Sequence, residues 1–180
     1  MNTATKFVIA SIVALAIPTL ASAQSANLNS LLNQANQMNN EEQDMASELK
    51  SKAGDNQTLI TMAETIKEDH KANQSALETL ASQKNINLNS YKKNKTVQNE
   101  LDNLNGAKFN QAFLTMDIRD HQKALESFRK ARSEFAHDPD VRVYVDQTIP
   151  VLEAHLKMAE NLHRDDQALG SREKPANNKD

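Results

Sequence analysis

Five side chains with ligand or acid–base chemistry interrupt apolar stripes of helical period. In the seven-residue repeat Leu28, Leu31, Ala35, Met38, Met45, Leu49 an apolar residue is due at position 42, and Glu42 stands there. The series 59, 63, 66, 70, 73, 77, 80 holds His70 and Asn73 at its centre. The series 113, 117, 121, 124, 128 holds Asp117 and His121, and the series 141, 145, 148, 152, 155, 159 holds Thr148 and His155. Four stripes thus each aim at least one carboxylate or imidazole inward. Counted from the nearest turn, Glu42, His70, His121 and His155 lie about 18–26 Å along their helices, near the middle of a helix about 40 Å long. Mid-helix positions coincide in either bundle topology, so these residues are expected to form one polar layer.

Neutral imidazole with carboxylate is a first shell for zinc, copper or iron. Glu42, His70, Asp117, His121 and His155 are therefore the candidate metal ligands, with Zn, Cu or Fe the candidate ions. Two readings stand beside this one. The same groups can form a buried network that satisfies itself without metal, or the layer does not close at all. Met45, Met62, Met116 and Met158 fall near the same height. Thioether with imidazole suits copper, whereas Met on an apolar stripe is ordinarily core filler. His137, in a turn, and His163, at a helix C-terminus, read as solvated or capping. Asp69 and Asp120 precede His70 and His121. They point about 100° away from them, and are read as braces for a neighbouring helix or as solvated acids.

The Glu-x-x-His motif of ferritin-type di-iron centres is missing, since Lys67, Ile118 and Leu152 occupy the positions three before the histidines. No nucleophile with its base, phosphate-binding glycine loop or nucleotide fold is discernible. The expectation is a protein that is not an enzyme, with no catalytic residue and no organic cofactor site.

The elements that must carry these residues follow from the same periodicity. Helices are expected over about Ala26 to Ala53, Gln57 to Ser82, Ala107 to Phe135 and Pro139 to Arg164, with a short helix from Val97 to Leu104 inside the long connection between the second and third. Gly54-Asp55-Asn56 supplies a C-cap glycine and capping side chains, and Asp138-Pro139 a cap and a first helical residue. Pro150 should kink the last helix or loosen a turn. Two tight turns and one long connection predict an all-α, four-helix bundle, either up-down-up-down or with a crossover.

Composition agrees. Aromatics are 4%, Trp and Cys are absent, and Gly and Pro number 3 and 4 in 180 residues. Disulfides and a lipoprotein cysteine are thereby excluded. The net charge is −3, and the leader contributes Lys6 without an acid, so the remainder is near −4. That balance excludes an electrostatic footprint for nucleic acid and gives no attraction to an anionic membrane surface.

Residues 1–23 read as a secretory signal peptide: Lys6, an apolar run from Phe7 to Leu20, then Ala21-Ser22-Ala23 ahead of cleavage before Gln24. An uncleaved anchor is the alternative. The expected organisation is residues 1–23 leader, 24–164 bundle domain and 165–180 disordered polar tail. The expected location is the periplasm or outer envelope of a Gram-negative cell, with no membrane span after cleavage.

Three segments carry a family resemblance: MAETIKEDHKAN from Met62, GAKFNQAFLTMDIRDHQKALESF from Gly106 and DPDVRVYVDQTIPVLEAHLKMAENL from Asp138. They resemble the domain-of-unknown-function-4142 family over roughly Leu31 to Leu162. The Asp-His-x-Lys-Ala pattern matches in full at Asp120-His121 and, one residue shorter as Asp-His-Lys-Ala, at Asp69-His70, and Pro-x-Leu-x-x-His-Leu-x-Met-Ala matches from Pro150. The resemblance implies an exported bacterial protein with a ferritin-like bundle, and it carries over onto His70, His121 and His155. Such proteins are often labelled outer-membrane proteins, but this sequence holds no barrel strands. Helix 1, rich in Asn and Gln, departs most from the pattern. The function expected is an exported envelope bundle with a metal- or stress-related role. The alternative is a structural or protein-interaction module, with an envelope protein as partner, whose histidines form only a buried network.

Overall fold

Residues 19–172 are described by a computed structural model. Five helices and no strand occur among them: α1 Thr19–Lys52, α2 Gln57–Gln83, α3 Lys95–Asp102, α4 Gly106–Glu134 and α5 Pro139–Arg172. No described helix is long and apolar enough to cross a membrane. Most of the expected leader, residues 1–18, lies outside the described residues, as do 173–180 of the expected tail.

Local chemistry sets most boundaries. Gly54 sits at φ +58°, the left-handed conformation that ends a helix without a Cβ penalty. Asn56 then accepts from the Leu59 amide at 3.2 Å and opens α2. Asp138 Oδ1 accepts from the amides of Asp140 and Val141, each at 3.2 Å, and so caps α5. The α5 helix runs continuously through Pro150. It also continues to Arg172, past the expected end at Arg164. Asp165 to Gln167 contain no proline or glycine to stop it. The short helix α3 starts two residues earlier than expected, at Lys95.

The four long helices pair in a definite order. α1 packs on α2 and α4 on α5, and the two hairpins meet through α2 with α5 and α1 with α4. Side-chain pairs give the directions. Lys50 meets Glu64 and Asn39 meets Asn73, so α1 and α2 are antiparallel. Arg129 with Glu153 and Arg132 with Asp146 make α4 and α5 antiparallel. Asn73 with Thr148 and Asp69 with His155 do the same for α2 and α5. Asn27 donates to Glu134, which places the start of α1 at the end of α4. The two hairpin turns therefore lie at opposite ends.

The α2–α4 connection must then travel the whole length, and it does so along α1. Asn33 and Asn36 bond the backbone of Asn89, Gln37 bonds that of Lys92, and Tyr91 reaches Asp44 at 3.0 Å. Lys52 closes the path by donating to the carbonyls of Leu101, Asp102 and Leu104. That ammonium caps the carbonyl end of α3, where the helix-internal donors run out.

The interior is two apolar clusters. One gathers Leu32, Leu77, Leu125, Phe128, Val145 and Leu152, toward the α4–α5 turn. The other gathers Leu49, Met62, Ile66, Phe109, Phe113 and Leu114, toward the α1–α2 turn. Between them lie buried polar side chains, among them Asn39, Glu42, His70, Asp117, His121, Thr148 and His155, each no more than 3% exposed. The interruptions in the sequence stripes are this layer.

Candidate metal centre

All five candidate ligands are buried, but they do not make a single shell. They divide into two groups that share a residue. Ligand atoms of His70, His121 and His155 lie within 4.8 Å of one another, and so do those of Glu42, Asp117 and His121. Each imidazole comes from a different helix: α2, α4 and α5. Ring centroids are 5.7 Å apart for His70 and His121, and 5.3 Å for each of the other two pairs.

Hydrogen bonds on the outer side of each ring fix which nitrogen carries the proton. His70 Nδ1 lies 3.0 Å from Asn39 Oδ1, and the Asn39 amide nitrogen is committed to Asn73 and Gln74. The oxygen can only accept, so Nδ1 donates. His121 Nδ1 lies 2.9 Å from its own-helix carbonyl at Asp117 and donates there. His155 Nε2 lies 2.9 Å from Asp69 Oδ2 and donates to the carboxylate. Neutral rings so arranged keep bare lone pairs at His70 Nε2, His121 Nε2 and His155 Nδ1. His70 Nε2 is buried with no hydrogen-bond partner. His121 Nε2 and His155 Nδ1 face each other at 3.3 Å. Two lone pairs at that distance repel unless a cation, proton or metal, lies between them.

Burial drives the His70 pKa well below the ordinary imidazole value, with the neighbouring His121 and His155 adding to it. Burial also lowers His155, against the opposing pull of Asp69. Both rings are thereby held neutral, the form that binds metal. Two imidazole nitrogens on one tetrahedral zinc, each about 2.0–2.1 Å from it, stand about 3.3–3.4 Å apart. The observed His121–His155 separation matches that edge.

A polar shell behind the rings holds them. Asn73 donates to Thr148 Oγ1 at 2.7 Å and accepts from Tyr144 Oη at 2.8 Å, and Thr148 donates to the Tyr144 carbonyl at 2.8 Å. Asn39 joins this cluster to His70. The sequence stripes included Asn73 and Thr148 but passed over Asn39, because the heptad count stepped from Met38 to Glu42. A three-to-four spacing of 35, 39, 42, 46 finds it. The two acids preceding histidines differ in role. Asp69 braces His155 on α5, whereas Asp120 pairs with Arg119 and Lys123 at the surface.

Glu42 and Asp117 sit on the other side of His121. Burial and the nearby Asp117 push the Glu42 carboxyl well up, and burial pushes Asp117 up to about 6 against the pull of His121. The remaining histidines stand apart from the layer. His137 is exposed, and His163 is half-buried and bonds Gln167 on its own helix. Met45, Met62 and Met116 belong to the apolar cluster toward the α1–α2 turn, with Met158 packed against it.

The fold and layer define an all-helical protein built around buried, pre-oriented histidines. A family model described as Domain of unknown function (DUF4142) matches residues 14–162, and the chain belongs to that family. No curated protein and no solved structure matches it.

Proposed function

We propose that this protein is an exported, non-enzymatic metal-binding bundle of the cell envelope, with a ferritin-like fold and one transition-metal ion held by His70, His121 and His155. The observation that carries the reading is the trio of bare nitrogens, each ring turned inward by a donor bond on its far side. Metal-binding histidines are oriented in this way by carbonyls and carboxylates of a surrounding shell. Three neutral nitrogens suit zinc or copper, and no thiolate is present to demand a softer ion. The ferritin-like reading rests on the antiparallel neighbours, the parallel diagonal pairs and the full-length crossover between α2 and α4. Export rests on the leader pattern before Gln24.

Titration of the purified protein with Zn²⁺ and Cu²⁺ tests it. Saturation near 1:1 with a raised melting temperature is expected, because an ion that binds only the folded state stabilises it. The gain should vanish in the His70→Ala, His121→Ala, His155→Ala triple variant. Unchanged binding in that variant, through His137 or His163, overturns the proposal. No saturable stabilisation at all leaves the layer as a metal-free network.

A further inference from the structure

Three carboxylate oxygens in the layer have no partner. Glu42 is 3% exposed and Asp117 fully buried. Glu42 Oε2 and both side-chain oxygens of Asp117 accept no hydrogen bond. His121 Nδ1 lies 3.5 Å from Asp117 Oδ1. Its proton is already given to the Asp117 backbone carbonyl at 2.9 Å, so it does not satisfy the carboxylate. Among the described residues no lysine or arginine pairs with either acid. Two buried acids on facing helices, close together and without a counter-charge, form an arrangement that is stable only if protons or a cation occupy it.

One of the two acids, Glu42, borders a groove on the outside, and Asp117 lies behind it. A groove of about 680 Å³ runs between α1 and α4, and Glu42 is part of its wall together with Met38, Met45 and Phe128. Glu41, Asp120 and Lys123 also line it, and Asp120 is paired with Lys123 and Arg119, so Glu41 and Glu42 are the wall's acids without a cationic side chain bonded to them. The His70 and His155 side of the layer contributes nothing to that wall.

We propose that Glu42 and Asp117 form a second cation site beside the histidine centre, entered through the α1–α4 groove and taking an oxygen-preferring divalent ion. Two carboxylates with the remaining positions left to water suit Mn²⁺, Mg²⁺ or Ca²⁺ over the ions that imidazole selects. His121 is the wall between the two sites: its Nε2 faces His155 and its Nδ1 edge faces Asp117. The inference does not require the histidines to hold metal.

The purified protein, given one equivalent of Zn²⁺, is titrated with Mn²⁺, and free Mn²⁺ is read from its electron paramagnetic resonance signal. One Mn²⁺ per chain is expected. Glu42→Gln, which preserves volume, should weaken Mn²⁺ binding by about tenfold or more while Zn²⁺ affinity stays within about threefold. Asp117→Asn is the second variant, and circular dichroism verifies that each is folded. Absence of saturable Mn²⁺ binding overturns the second site, as does Mn²⁺ affinity unchanged in both variants, and the two acids then simply keep their protons. Mn²⁺ uptake that depends on Glu42 in a protein that binds neither Zn²⁺ nor Cu²⁺ upholds this site and refutes the histidine centre.

Discussion

Asp69 on α2 accepts a hydrogen bond from His155 on α5, Oδ2 to Nε2 at 2.9 Å, across the junction of the two hairpins. The acid is 45% exposed and the ring fully buried, so a water-facing carboxylate sets the orientation of an interior imidazole. Its effect is to leave His155 Nδ1 bare toward His121. Asp69→Asn should therefore lower Zn²⁺ affinity by about 10–100-fold without loss of helix content. Competition against a chromophoric chelator, with circular dichroism on the same sample, measures both. An unchanged affinity would show that the brace plays no part in ligation.

Asn39 has a different role, since it is wholly buried and bonds His70, Asn73 and Gln74 at once. Asn39→Ala removes the acceptor of the buried His70 Nδ1–H. Urea unfolding of the metal-free protein should show a loss of about 1–3 kcal/mol. A loss well below that range would mean that water replaces the amide.

The pH dependence of the metal-free protein should be a peak. Burial lowers His70 and His155 in the folded state, so below the ordinary value of 6.5 the unfolded chain binds more protons and stability falls with falling pH. Asp117 behaves oppositely. Its folded value of about 6 against 3.8 means that the folded state binds more protons between these limits, so stability falls as pH rises through them. Glu42, also raised, adds to that second trend. Melting temperatures from pH 4 to 8 should therefore pass through a maximum near pH 6. A monotonic rise to pH 8 would contradict the assignment of neutral, buried carboxyls.

Glu42→Gln isolates one contribution to that peak. It removes the ionisation but keeps the volume, so the metal-free variant should melt at a higher temperature than the parent at pH 8 and at nearly the same temperature at pH 4.5. A lower melting temperature at pH 8 would indicate that the charged Glu42 has a partner after all.

Export is checked separately. Protein recovered from the envelope fraction of an expressing bacterium should begin at Gln24 on N-terminal sequencing, as the small residues Ala21 and Ala23 require of a signal peptidase site. Recovery of chain still carrying Phe7 to Leu20 would identify the segment as an anchor.

Much of this architecture is legible one residue at a time. A period of three to four residues is a local property of an α-helix, so the stripes located α1, α2, α4 and α5 and identified Glu42, His70, Asp117, His121 and His155 as their interruptions. Equal heights followed from the constant rise per residue, which is why the polar layer was expected before any packing was known. Caps at Asn56 and Asp138 and the turn at Gly54 are likewise local chemistry. Periodicity cannot say which helix neighbours which. That order decided that the crossover follows α1, that Asp69 reaches His155 while Asp120 turns to Arg119, and that Asn39 holds His70. It also decided that five candidate ligands split into a histidine trio and a carboxylate pair with His121 between them. Rotation about each helix axis and the choice of diagonal partners depend on the packing of four helices at once, and only the tertiary structure fixes them.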